Sequence, residues 1–218
     1  MKKEIIGSCT LYNADCIKIM AQYPDKYFNL AIVDPPYGIG QNWAKDTASP
    51  LYKYRGSYKN KSIPSEKYFK ELFRISDIQI IWGGNYYTKF LPPTGAWLFW
   101  DKKRSEKTFN AQGELAWTSL KSPLRIIPLQ WNGFVTCEPR YGGHPHEKPI
   151  KLYEWLLTRY AGYGMNILDT HLGSGSIAVA CHNLGFSLTA CEIDKHFFRL
   201  SCKRLKETIG GLIDEKAQ

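Results

Sequence analysis

The sequence predicts a doubly wound α/β fold, with a mostly parallel central sheet and helices on both faces. Three observations predict it. The last third alternates strictly between helix and strand: a helix from about Pro149 to Tyr160, a strand over Asn166 to Asp169, a glycine-rich turn, a helix over Ile177 to Leu184, a strand over Ser187 to Glu192, and a helix from Lys195 to about Glu207. Phe28-Asn29-Leu30-Ala31-Ile32-Val33 is a short, nearly continuous apolar run, the pattern of a strand buried on both faces. The chain has 218 residues, 44% of them hydrophobic, which is enough to bury one core and too few for two large domains.

The remaining elements follow in order. Leu11 to Gln22 reads as a strand end and then a helix carrying Ile17, Ile19 and Met20, closed by Tyr23-Pro24-Asp25. From Gly38 to Lys67 the chain turns polar, basic and aromatic, with Trp43, Tyr52, Tyr54 and Tyr58 among its lysines, and shows no helical or alternating period. It reads as a long loop or lid inserted at about 38–67. A helix is expected over Glu66 to Ser76 and strands over Ile78 to Trp82 and Trp97 to Trp100, punctuated by Gly83-Gly84 and Pro92-Pro93. Between Leu115 and Val135 short strand-like runs alternate with turns.

Lys and Arg total 29 against 20 Asp and Glu, a net charge of +9, and 14% of residues are aromatic. This balance suits a polyanionic partner held by charge and stacking, although solubility charge alone accounts for it equally well. No stretch reaches the ~18 apolar residues needed to cross a bilayer, so no membrane partner and a cytoplasmic location are expected. The six cysteines are scattered with no Cys-x-x-Cys pair, as in reduced thiols, and neither disulfides nor zinc are expected. His144 and His146 flank Pro145, and Cys181 precedes His182, yet no pair has metal-ligand spacing, so no metal is assigned.

Two segments carry chemistry. Asp169-Thr170-His171-Leu172-Gly173-Ser174-Gly175-Ser176 follows a strand and opens a helix, and Glu192 ends the next strand about 23 positions later. In a doubly wound fold this arrangement brings a ligand's charged part to the helix N-terminus and its ribose hydroxyls to the acid. The alternative is a tight strand-to-helix turn with no ligand. Only Gly173 and Gly175 fit the dinucleotide pattern and no phosphate-loop lysine is present, so a nucleoside without a pyrophosphate fits better. The second segment is Asp34-Pro35-Pro36-Tyr37, at the end of the first apolar strand. An adenine amine is a poor nucleophile because its lone pair is delocalised into the ring. A carboxylate (Asp34) and a rigid backbone carbonyl (Pro35) accepting its two N–H bonds would draw it toward tetrahedral geometry and stabilise developing positive charge. Tyr37 offers a face on which a flipped base can stack.

Together these motifs resemble the DNA amino-methyltransferases of the permuted, or beta, class, in which the catalytic motif precedes the cofactor loop. The resemblance runs from about Asn13 to Leu205 and implies a Rossmann-like methyltransferase fold with S-adenosyl-L-methionine as cofactor and DNA as partner. On this reading the catalytic residues are Asp34, Pro35, Pro36 and Tyr37. The cofactor contacts are Asp34 itself, the Asp15-Cys16 pair, His146, Lys148 and Pro149 of the segment ending in Lys-Pro, the loop residues Asp169, Thr170, His171, Gly173, Ser174, Gly175 and Ser176, and Glu192 with Ile193 after it. Thr170, His171 and Ser176 depart from the family's usual Pro, Phe and Thr. Lys45, Lys53, Arg55, Lys59 and Lys61 of the insertion, with Lys102, Lys103 and Arg104, are read as phosphate contacts. The region at about 101–145 is a short target-recognition segment of a single domain, 1–218. Asp34 favours adenine N6, since cytosine-N4 enzymes more often carry Ser there. Cytosine N4, an RNA or protein glutamine substrate, and a non-catalytic binding module stay as alternatives, and a homodimer and a cognate restriction endonuclease stay open as partners.

Overall fold

The computed structural model describes residues 1–39, 62–107, 110–131 and 135–216, with side chains as far as Gly211. Lys45, Lys53, Arg55, Lys59 and Lys61 lie outside the described residues. The chain opens with a hairpin of β1 (Lys2–Ile6) and β2 (Cys9–Asn13). Its two-residue turn has Gly7 at a φ of +57°, a conformation that costs glycine nothing. α1 (Cys16–Met20) follows, capped by the Asp15 side chain, which accepts from the Ile17 N–H at 2.8 Å. β3 (Phe28–Val33), α2 (Glu66–Ile75) and β4 (Ser76–Trp82) form one crossover unit. β5 (Leu98–Asp101), β6 (Gly113–Thr118) and β7 (Arg125–Pro128) extend the sheet. α3 (Ile150–Tyr160), β8 (Asn166–Asp169), α4 (Ser176–Leu184), β9 (Ser187–Glu192) and α5 (Lys195–Lys216) complete the described chain.

These strands make a nine-stranded sheet in the order β1-β2-β9-β8-β3-β4-β6-β5-β7. β1 and β6 run against their neighbours, and β2, β9, β8, β3 and β4 are parallel to one another. The expected mostly parallel α/β sheet is therefore present. Side chains alternate across it. Leu30, Ile32, Ile80, Trp82 and Ile167 pack toward α3, α4 and α5, meeting Leu152, Leu156, Ile177, Val179, Phe198 and Leu205. Ala31, Val33, Ile81 and Leu168 pack on the other face against Tyr68, Phe69, Leu72 and Ile75 of α2 and Met20 of α1. With both faces covered, a strand is apolar at nearly every position, which is why β3 reads as a run rather than an alternation.

The strand end and helix read over Leu11 to Gln22 are both present: Leu11 to Asn13 pairs with β9, and Asp15 starts the helix at Cys16. β1 adds a strand at the edge that its sequence, Lys-Lys-Glu-Ile-Ile, does not announce. The strand-like runs read between Leu115 and Val135 correspond to β6 and β7, which join the central sheet with Ala116, Trp117 and Ile127 buried.

The strand order reverses between the parallel neighbours β3 and β8: β3 leads through α2 to β4 on one side, and β8 leads through α4 to β9 on the other. The carboxyl edge at such a switch point is where doubly wound sheets bind ligands. Leu30 lies fully buried in β3 beside Ile167 and Ile78. Leu30→Ala is expected to cost about 2–5 kcal/mol through lost transfer energy and the cavity left behind, measured by denaturant unfolding.

Candidate active site

β3 delivers Asp34 to the carboxyl edge. The Tyr37 hydroxyl donates to Asp34 Oδ1 at 2.7 Å and Lys148 Nζ donates to Oδ2 at 2.5 Å. Fully buried Tyr87 shares its hydroxyl proton between the carbonyls of Pro35 (2.6 Å) and Pro36 (2.9 Å), holding both peptides in one orientation. The Tyr37 ring stacks on Tyr86 at 5.1 Å and 16° and lies against Gly83. A Cβ on Gly83 would come within 2.2 Å of that ring, and Gly83 also takes a φ of +70°, so glycine is required there on both counts. Burial, with Asp34 and Glu114 nearby, pushes the Tyr37 pKa well up, so its hydroxyl stays a donor.

Lys148 does not stop at Asp34. Its Nζ also reaches Glu114 Oε2 at 3.0 Å, and Lys102 Nζ hydrogen-bonds Glu114 Oε1. Two carboxylates and two ammoniums thus form a charge-balanced chain. Burial alone would raise the Glu114 pKa, but Lys148 and Lys102 hold it well below the usual carboxylate range. Burial depresses Lys148, and Asp34 and Glu114 more than reverse that. Lys148 is set here by α3: the Glu138 carboxylate accepts from the Ile150 and Lys151 N–H groups at 2.6 and 2.9 Å, and Pro149 precedes the first turn.

The assignment of Lys102 to phosphate contact is corrected by its burial. Trp100 pairs with Glu114 across β5 and β6, and the two-residue period of an extended chain puts Lys102 on that same inner face, over the Trp100 ring at 4.6 Å. Lys103 points outward and pairs with Asp101 at 2.7 Å, and Arg104 donates to the carbonyls of Trp131 and Ala111.

On the neighbouring strand β8, buried Asp169 accepts the His171 N–H at 2.9 Å. Thr170 hydrogen-bonds both the Tyr68 hydroxyl (2.7 Å) and His171 Nδ1 (2.9 Å), which gives both unusual loop residues a packing role against α2. Gly173 N–H donates to Glu192 Oε2 at 2.9 Å, and Asp194 N–H donates to Oε1 at 2.8 Å. Asn13 Nδ2 donates to the carbonyls of Glu192 and Ile193, so Asp15 and Cys16 sit beside that acid. Gly175 starts α4 at a φ of +78°, with Ser201 of α5 so near that a Cβ would meet it at 2.8 Å. Ser174 and Ser176 are buried under Arg204, whose Nη1 bonds Ser174 O (3.2 Å), Ser176 Oγ (2.9 Å) and the Glu147 carboxylate (3.1 Å). Ile193 is exposed at the rim, and His146, though solvent-exposed, has Asp34, Lys148 and Glu114 as electrostatic neighbours and so lies at the site.

Two carboxylates on adjacent strand ends, one beside a glycine-rich helix start and one followed by Pro-Pro-Tyr, are the arrangement to set against known proteins. A profile of the DNA methylase family of N6 and N4 methyltransferases matches residues 76–203, more than half of the chain. The chain belongs to this DNA methylase family. It is 21% identical over 243 aligned positions to the Type II methyltransferase M.HpaI of Haemophilus parainfluenzae, covering 93% of this chain and 76% of that protein. In structure it is similar to M1.HpyAVI in its SAM complex (TM-score 0.57, 18% identity, 90% of this chain and 99% of that one). It is likewise similar to the cytosine-N4-specific PvuII DNA methyltransferase (TM-score 0.62, 10% identity, 94% and 93%). The fold is thus the Rossmann-like fold of S-adenosylmethionine-dependent methyltransferases.

The family match begins at β4 and so covers the glycine-rich loop but not Asp34 to Tyr37. The donor set around that loop fits the methylase cofactor. Asp169 is buried with Asp34 and Glu192 as acidic neighbours and Lys148 as a basic one, and burial outweighs the lysine, so a cationic sulfonium beside it would favour its carboxylate. Sequence reasoning missed Glu114, Tyr87 and Arg204. Each had a signal: an acid opening the otherwise apolar Leu-Ala-Trp strand, a tyrosine just past Gly83-Gly84, and an arginine beside the apolar stripe Phe198, Cys202, Leu205. Among the described residues no helix is long and apolar enough to cross a membrane, and no group of three or more His, Cys, Asp or Glu could hold a metal ion.

Burial raises the Asp169 pKa from 3.8 to about 8. Folding therefore favours its protonated form, and that contribution to stability is whole below about pH 4 and lost as pH rises through about 8. The melting temperature of the wild type is expected to fall relative to Asp169→Asn across this window in differential scanning calorimetry. Parallel curves would contradict burial as the cause.

Proposed function

We propose that this DNA methylase transfers a methyl group from S-adenosylmethionine to the exocyclic N6 amine of adenine at specific sites in DNA. The observation that carries the reading is the pairing of the Asp34 carboxylate with the Tyr87-held Pro35 carbonyl at the carboxyl edge, one strand from Asp169. The cofactor supplies an electrophilic methyl on sulfur. Asp34 accepts one amine N–H and Pro35 the other, which concentrates the lone pair on nitrogen and stabilises the charge that develops there. The amine's proton leaves through Asp34, and no covalent enzyme intermediate is needed. Tyr37, carried on Tyr86, provides the stacking surface for a base turned out of the duplex.

Asp169, Glu192, Asp15 and the start of α4 form the proposed cofactor cradle. Arg204 braces its loop against Glu147, next to Lys148. Asp34 rather than Ser is what favours adenine over cytosine. The likeness to the PvuII enzyme, at 10% identity, is one of fold and carries no choice of base. The Type II name of M.HpaI supports a role in restriction–modification.

Asp34→Ala is expected to abolish transfer while cofactor binding survives. Mass spectrometry of nucleosides from DNA incubated with labelled cofactor should find N6-methyladenine; N4-methylcytosine would move the assignment to the rival base. Charge reversal at Lys53, Arg55 and Lys59 is expected to weaken DNA binding and flatten its salt dependence. Unchanged affinity and slope would remove the insertion from the DNA interface.

A further inference from the structure

Both donors that hold Asp34 have a second acceptor, and it is the same oxygen. Lys148 Nζ lies 2.5 Å from Asp34 Oδ2 and 3.0 Å from Glu114 Oε2. The Tyr37 hydroxyl lies 2.7 Å from Asp34 Oδ1 and 3.1 Å from Glu114 Oε2. Glu114 is fixed from behind by Lys102, whose ammonium binds its other oxygen and packs over Trp100.

This geometry bears on a difficulty in the proposed chemistry. A carboxylate already engaged by an ammonium and a phenol is a weak acceptor for a neutral amine. Simply withdrawing Lys148 would strand its charge, because its side chain is only 6% exposed and a buried unpaired ammonium is costly. Glu114 removes the conflict: the ammonium and the hydroxyl can shift from one carboxylate to the other without losing a partner.

We infer that Glu114 is a positioning residue that takes over Lys148 and Tyr37 as the target amine docks, leaving Asp34 free to accept the amine's hydrogen. The inference rests on the role proposed for Asp34. Lys102 has a part in it as well, holding Glu114 in place so that the cluster stays charge-balanced before and after the shift. No bond is made or broken in the shift, and protons stay on the groups that carry them. Only hydrogen-bond partners change.

The test uses the full chain with labelled S-adenosylmethionine and DNA. Replacing Glu114 alone would leave two buried ammoniums facing one carboxylate, so Glu114→Gln is combined with Lys102→Met, which keeps charge balanced but leaves Asp34 as the one carboxylate facing Lys148, with only a weaker neutral amide acceptor beside it. The double variant is expected to lose kcat on the order of 10²-fold, with its dissociation constant for S-adenosylmethionine and its KM for DNA unchanged. Glu114→Asp, made alone, keeps the charge at a longer reach and is expected to fall between the double variant and wild type. Wild-type kcat in the double variant overturns the inference, as does cofactor binding that weakens in step with kcat. If the double variant does not fold, Glu114→Asp decides: lowered kcat with intact cofactor binding supports the inference, and wild-type kcat overturns it. Asp34→Ala is run alongside. An active Asp34→Ala protein removes the catalytic reading itself, whereas an inactive one beside a fully active Glu114 variant removes the inference alone.

Discussion

The structure depends on one constraint, the parallel register of β3 and β8 at the point where strand order reverses. Leu30 pairs with Ile167 and Ala31 with Leu168, so the two strands end level and release Asp34 and Asp169 side by side. The crossovers leave this seam in opposite directions, α2 over one face and α4 under the other. Residues far apart in the chain become neighbours there because five parallel strands share one edge. A one-residue slip of β3 would exchange the faces of Leu30 and Ala31 and withdraw Asp34 together with them.

Along that edge, three carboxylates are treated differently by their surroundings. Asp169 is buried with other acids near it, and its pKa climbs to about 8. Glu114 is held between two lysines and is driven in the opposite direction. Asp34 lies between them, bound by Lys148 and Tyr37. The edge thus runs from an acid raised by burial to one whose charge two lysines balance.

Much of the fold was legible in the sequence, because burial on both faces leaves a strong mark. β3, β4, β8, α4 and β9 were anticipated to within a residue or two, and α2 was evident from Tyr68, Phe69, Leu72 and Ile75 at helical spacing. β1 was not, since as an edge strand it is mostly exposed and carries polar residues. At the site, Asp34, Asp169, Glu192 and the glycines were legible because they stand at strand ends and helix starts. What was missed are residues whose roles arise only across strands or between helices. Lys102-Lys103-Arg104 reads as a basic run, and only the pairing of β5 with β6 turns Lys102 inward toward Glu114. Arg204 acquires its meaning from α5 docking on the loop before α4, a contact that no local pattern encodes.

That docking also bears on the order in which the protein is made. Arg204 is synthesised long after Asp34, yet it is the group that ties the glycine-rich loop to Glu147 and, through the next residue, to Lys148 on Asp34. The early half of the chain can lay down β3 and its proline loop, but Asp34 gains its lysine only when the segment before α3 has emerged. The cofactor side is braced only when α5 has formed. A nascent chain therefore carries the proposed catalytic residues before the framework that aligns them has been made.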